Sequence, residues 1–396
     1  MKKLFLYLSL SFLLASCIQN EALNTEADIE SCTVLNEEGK ADPHIKGNVL
    51  VNNTQIIAQA NPKINLASLA LHVKLTEGAT ISPNPRELRD YSWAQHFVVT
   101  SQDGVWNKKY TVMIDTFEMP TSYDFEFFEL NAAHQYQVFY EKVYVKKIIM
   151  ESDKDTVKID TFFKQYIWAS GNSGYALTGV GKTAEDYPTV SLKSEKGRGI
   201  KLETKSTGGF GEMAKMPIAA GNLFLGVFDV SNAMLEARKA TLFGLPFGRK
   251  PLSFTGRYKF KRGAVLTDIG NNGKPVPVAG EDVCDIYAIL YESAGLDKNA
   301  LNGDNVLNND HIIAMARLKR PTVYAPETDM TKISYENFDI QFDYDSYKNK
   351  RSFDGNKSRN YEYNLAIVFT SSVDGAYFKG AVGSTLYVDE VKVVCE

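Results

Sequence analysis

The sequence predicts an all-β protein built of two sandwich-type domains. Three observations carry that expectation. The 396 residues include 21 Tyr and 22 Phe, residue types that favour strands. Short polar–apolar alternations recur along the chain, as they do in strands with one buried face. Helical periodicity is scarce, and only one segment reads as a helix.

The chain opens with the layout of a lipoprotein signal peptide over residues 1–16. Lys2 and Lys3 form a basic start, and Leu4 to Leu14 form an apolar run too short to span a bilayer. Leu14-Ala15-Ser16-Cys17 matches a bacterial lipobox. Cleavage before Cys17 would make its thiol the lipid anchor, each buried methylene adding about 0.8 kcal/mol of membrane affinity. The plainer alternative is a secretory signal with a chance cysteine. The predicted location is therefore the outer membrane, facing the cell exterior, with the membrane touched only through lipid.

Residues 17–43 are polar and acidic, with Glu21, Glu26, Asp28, Glu30, Glu37 and Glu38, and read as a tether. Acidic residues soon after a lipid-bearing cysteine resemble the surface-export signals of Bacteroidota lipoproteins. Loss of Lys2 and Lys3 takes the formal charge from −4 to −6. That balance argues against nucleic acid, whose binding demands a basic face.

Residues 44–118 predict an immunoglobulin-like sandwich. Leu69 to Leu75 alternates cleanly, turn residues follow at Glu77-Gly78 and Pro83-Asn84-Pro85, and Phe97 to Thr100 and Tyr110 to Ile114 flank the turn Ser101-Gln102-Asp103-Gly104. The segments Leu75 to Thr80 and Val99 to Gly104 resemble Ig-like modules of Bacteroidota surface lipoproteins, which implies a spacer. His72 and His96 read as solvated or packed side chains.

Residues 119–396 predict a large jelly roll. It begins with the alternation Tyr123 to Glu129, followed by a hairpin around Ser152-Asp153-Lys154-Asp155. Further strands are expected near Ile200–Thr204, Phe254–Lys261, Ile286–Tyr291, Ile312–Leu318, Phe338–Tyr344, Tyr363–Phe369 and Leu386–Val394. Ser231 is the expected N-cap of a helix over Asn232–Ala240.

Chemistry is weakly marked. The chain lacks GxSxG, HExxH and P-loop motifs, and five histidines leave little room for a His-based triad. Two carboxylates in one cleft would suit glycoside hydrolysis, with Glu292 and Asp374 as the candidates. Trp168, Asn172 and Tyr175 surround a polar loop where an aromatic face could stack on a sugar and an amide could bond its hydroxyls; Tyr258 is a further candidate. Core packing is the ordinary role for each aromatic. Pairing of the first and last strands of the jelly roll would bring Glu126 to Asp389 or Glu390, where a structural calcium could sit; a solvated carboxylate pair or a link to a lysine is the alternative. Cys32, Cys284 and Cys395 allow one disulfide and one thiol, or buried thiols.

The C-terminal region resembles the PCMD family, a "putative carbohydrate metabolism domain". The resemblance rests on Thr241-Leu242-Phe243-Gly244-Leu245-Pro246-Phe247, Pro251, Gly256-Arg257-Tyr258-Lys259-Phe260, Asp285 to Glu292 and Gly375 to Val391. Phe260 stands where a second Tyr is usual. The resemblance covers roughly Tyr123 to Glu396 and implies a galactose-binding-type jelly roll on a gut Bacteroidota lipoprotein, without assigned catalytic residues. The resulting expectation is a non-catalytic carbohydrate-binding surface protein with a glycan ligand, working beside outer-membrane polysaccharide-uptake proteins. A glycoside hydrolase or lyase, and a structural or adhesion component, are the alternatives.

Overall fold

A computed structural model describes residues 23–396, apart from 52–53, 62–63, 117–118, 145–147, 153–154, 160–161, 195 and 230–235. The expected lipid-anchor Cys17, the expected lipobox and the expected N-cap Ser231 lie outside these residues. The chain falls into two units that meet between Glu118 and Met119. It is nearly all β, as its strand-rich composition predicts.

The N-terminal unit is a small sandwich. One sheet has five strands in the order Ile45–Val51, Gln55–Ala60, Asn107–Asp115, Gln95–Thr100, Thr80–Ser82. Gln55–Ala60 and Asn107–Asp115 run parallel, and the other neighbours antiparallel. The facing ladder pairs Ile29–Leu35 with Ala70–Leu75. The tether expected through residue 43 therefore ends earlier. Ala27, Ile29 and Val34 are buried with Phe97, Val99, Tyr110 and Val112. Glu30 on this strand, with Asp28 just before it and Glu37 and Glu38 beyond it, gave the segment the pattern of an acidic tether.

The C-terminal unit stacks two mostly antiparallel sheets. The front sheet has seven strands, with Trp168–Ala169, Asn222–Phe228, Tyr363–Thr370, Asp285–Glu292 and Ile312–Arg317 in order; Thr241–Phe243 and Leu245–Pro246 attach to it. The rear sheet has six, with Thr189–Ser194, Gly197–Glu203, Thr385–Cys395, Pro251–Lys261 and Glu336–Gln341 in order. Ser122–Tyr123 joins its last strand, so Tyr123 pairs with Val391. The expected strand from Tyr123 to Glu129 is broken at Phe125, whose φ of 55° is left-handed. Ile148–Ser152 and Asp155–Ile159 pair as the expected hairpin. Only the end of the expected helix is described, and Ala237–Ala240 is a 3-10 turn.

Strand period explains the layering. Side chains alternate between faces, so Ile286, Ala288 and Leu290 turn inward with Leu365, Ile367 and Phe369. Phe369 meets Phe254 of the rear sheet at 6.2 Å. Phe260 is fully buried in the rear sheet, a place with no use for a hydroxyl. The opposite face of the front sheet carries Tyr287, Ile289, Tyr291, Ala366 and Val368, and Leu301 and Val306 cover it.

Two sequence signatures prove to be joinery. In Thr241–Phe247 the chain steps from one front strand to the next, and Gly244 passes Tyr291 so closely that a Cβ would lie 2.6 Å from its ring. The Tyr291 hydroxyl donates to the Phe243 carbonyl at 2.6 Å. In Gly380–Ser384 the loop is held by Asp282, whose Oδ2 accepts from Ala381 N at 2.7 Å, Ser384 Oγ at 2.7 Å and Ser372 Oγ at 2.6 Å.

Candidate functional site

A pocket of about 360 Å³ opens on the outer face of the front sheet. Its floor comes from strand positions of one parity, Phe224, Tyr287 and Val368, with Phe243 from the attached strand. Its walls are non-strand segments: the short helices Asn172–Ala176 and Gly208–Met213, the turn Ala237–Ala240, and the loops around Asp304 and Tyr377. The mouth carries exposed apolar side chains, with Phe210 41% and Tyr377 52% exposed.

Polar groups in the pocket are few and mostly engaged. Asp285 is buried and forms a two-point bond with Arg317, at 2.9 Å to Nε and 2.8 Å to Nη2. The Arg238 guanidinium bonds Asp304 and lies 5.0 Å from the centre of the Tyr377 ring. Asn222 accepts from Gly171 N at 2.9 Å and donates to the Ala220 carbonyl at 3.1 Å. The arrangement offers aromatic and aliphatic surface with a thin polar border, and both carboxylates already face arginines.

Of the residues singled out from sequence, Tyr175 lines this pocket. Its hydroxyl donates to the Ser206 carbonyl at 3.2 Å. Asn172 lies beneath the wall, where its side chain bonds the backbone of Thr189 in both directions, at 2.7 and 3.1 Å. It is fully buried, a brace and no sugar ligand. Trp168 is 3% exposed and packs on Tyr123, Phe125 and Phe369. Tyr258 is likewise buried, and its hydroxyl accepts from Thr322 N at 2.9 Å. The core role holds for both aromatics.

The carboxylate pair Glu292 and Asp374 does not form. Glu292 ends the strand that Asp285 begins, and Asp374 follows Thr370, which pairs with Asp285. Seven strand steps separate the two ends by on the order of 20 Å, too far for one cleft. Glu292 instead bonds Arg351 and Lys357. Burial pushes its pKa up, but these two cations outweigh burial and hold the carboxyl below its ordinary value. Asp374 pairs with Lys379 at 2.9 Å.

The expected calcium site has the wrong donors. The first and last strands pair, yet Glu126 turns to Arg198 N at 2.8 Å. Asp389 and Glu390 face Arg257, at 3.2 Å to Nη2 and 2.9 Å to Nε. A bulge explains this. The register slips between Thr255 and Arg257, and Glu390 adopts a φ of 47°, so successive carboxylates reach the same guanidinium. A cation beside Arg257 would be repelled, and no cluster of three or more His, Cys, Asp or Glu suited to a metal occurs among the described residues. Chelation is expected to leave the melting temperature unchanged. Arg257→Ala is expected to cost about 3 kcal/mol by stranding Asp389, as read by denaturant unfolding. Cys32, Cys284 and Cys395 are unbridged thiols, and burial pushes Cys32 up to about 12.

The family model for the putative carbohydrate metabolism domain, PCMD, matches residues 124–394. This chain belongs to the PCMD family. The model for the SGBP N-terminal domain matches residues 38–114, on the first unit. A crystal structure from Bacteroides thetaiotaomicron vpi-5482, described as a "putative glycoside hydrolase", is 39% identical. It covers 96% of this chain and 99% of its own, with a TM-score of 0.70. A second so described, from Bacteroides vulgatus ATCC 8482, is 32% identical, covering 71% of this chain and 100% of its own at a TM-score of 0.57. A comparison with curated proteins finds no match. The PCMD signatures are legible as scaffold, because Gly244, Phe247 and Gly380–Ser384 shape the sheet and its loops. The pocket walls escaped sequence reasoning because they come from distant segments. Gly208-Gly209-Phe210-Gly211-Glu212-Met213 held a signal: large apolar side chains among glycines that cannot form a core strand.

Proposed function

We propose that this PCMD protein is a cell-surface lipoprotein, anchored at Cys17, that binds carbohydrate in the pocket on the front sheet. One observation carries the proposal: a pocket of small-molecule size with aromatic walls and a border of amide, hydroxyl and guanidinium groups. Sugars present an apolar ring face and a polar rim, and such a lining matches both. The SGBP-type first unit supports a role in surface glycan utilisation, beside outer-membrane uptake proteins. A glycan array followed by calorimetry tests the reading, and the absence of any glycan ligand would overturn it. Tyr377→Ala, at an exposed position, is expected to weaken binding about tenfold through loss of one ring contact, with the melting temperature unchanged.

The description of the two relatives favours hydrolysis as a second reading. Asp285 and Asp304 both line the pocket, but each carboxylate is engaged by an arginine, so neither is free to act as a nucleophile, even though burial pushes the Asp285 carboxyl above its ordinary value. Binding without turnover is the better fit. Incubation with mixed polysaccharides is therefore expected to release no reducing ends; their release would establish the hydrolase.

A further inference from the structure

The lining of the pocket is more apolar than a bare sugar requires. Its floor is Phe224, Phe243, Tyr287 and Val368, closed at one side by Val306 and Leu307. Phe228 and Met216 extend the same surface toward the walls. The apolar character continues to solvent, where Phe210, Leu177 and Tyr377 stand exposed around the mouth. Exposed large apolar side chains gathered at a cavity mark a binding site for apolar matter.

Charge points the same way. The charged lining residues are Arg238, Asp285 and Asp304, and each lies against an opposite charge. Among the described residues lysine is absent from the lining, so an anionic sugar or a phosphate would meet no uncommitted ammonium from them. Volume limits the occupant further. About 360 Å³ sits at the low end of small-molecule pockets, a size that suits one small group better than a helix.

Resting on the carbohydrate reading above, we infer that the pocket recognises an uncharged glycan through an apolar substituent, an aryl or acyl group carried on the sugar. The substituent enters the floor between Phe224, Phe243 and Val306. The sugar stays at the mouth, where Asn222, Arg238 and Thr178 border the opening and Tyr377 offers a ring face. A substituent of this kind removes its own apolar area from water and covers that of the floor, a gain a bare sugar cannot match.

Matched glycosides separate the two parts of the inference. The purified protein is loaded with the fluorescent apolar probe N-phenyl-1-naphthylamine. Methyl, phenyl and octyl glycosides of glucose, galactose, mannose and xylose then compete for it, with calorimetry as the second readout. For at least one sugar, the phenyl or octyl form is expected to bind at least about tenfold tighter than the methyl form. The phenyl and octyl arms distinguish an aryl from an acyl-like group. Ala214→Trp, which places bulk in the wall, is expected to abolish probe and glycoside binding together; a thermal melt confirms that the variant folds. Equal affinity of methyl and phenyl forms would overturn the inference while leaving the carbohydrate reading intact. Displacement of the probe by phenol or octanol, with no preference for any sugar, would overturn the carbohydrate reading and the decorated-glycan inference with it. Failure of probe and glycosides alike to bind would overturn both.

Discussion

Trp168→Ala is expected to destabilise the C-terminal unit by about 3–5 kcal/mol, the range for deleting a fully packed large aromatic. The indole contacts Tyr123 at 5.1 Å and Phe125 at 5.3 Å, and Phe369 at 6.2 Å links it to the inner face of the front sheet. Its Nε1–H donates to Glu141 Oε1 at 2.9 Å, so truncation also strands a buried carboxyl group. Urea unfolding gives the loss as a lower midpoint at unchanged slope. Trp168→Phe, which keeps most of the packing, is expected to fall between the two. A sugar-stacking tryptophan would behave in the opposite way, with stability near wild type and binding abolished. Measuring both quantities on one variant therefore separates the core role from the ligand role.

The fate of Trp168 shows where sequence reading has purchase. Strand residues announce themselves through local period: Asp285–Glu292 and Tyr363–Thr370 are apolar on both faces because one face packs on the rear sheet and the other is roofed by loops. The signature around Gly244 was likewise visible, since a close approach leaves a glycine in the sequence. Which face of a strand a ring occupies is not local. Trp168 and Phe224 sit on neighbouring strands, with Trp168 paired to Leu225, yet their side chains leave the sheet on opposite sides. One enters the core and the other floors the pocket, and composition treats them alike. Asn222–Phe228 was missed as a strand because Leu223, Phe224 and Leu225 are apolar in succession, with no alternation to read, and Gly226 breaks the run. That glycine, at φ 141°, brings its Cα so near the Leu242 carbonyl that a Cβ would lie 2.0 Å away. The carboxylates failed for the same non-local reason. Their partners, Arg257 for Asp389 and Arg351 with Lys357 for Glu292, come from other strands and loops.

Glu141→Gln is expected to change the pH dependence of stability. Glu141 is 8% exposed, and burial pushes its carboxyl up to about 7; the bond from Trp168 opposes this and the nearby Asp124 adds to it. An unfolded chain would ionise the same group near 4.5. Below that value both states hold the proton, and the native packing keeps its full stability. As pH rises from about 4.5 to about 7 the unfolded chain releases the proton while the folded chain retains it, so stability falls. At about 1.4 kcal/mol per unit, this loss is on the order of 3 kcal/mol by neutral pH and levels off once the folded group ionises. Glutamine keeps an acceptor oxygen for the indole and carries no proton to lose. The variant is therefore expected to match wild type near pH 4 and to exceed it by roughly 2–3 kcal/mol at pH 8. Carboxylates held by cations, such as Glu292 and Glu129, slope the other way in both proteins. The decisive quantity is thus the difference between variant and wild type across the pH series. A difference that stays constant with pH would show that Glu141 does not titrate in this window.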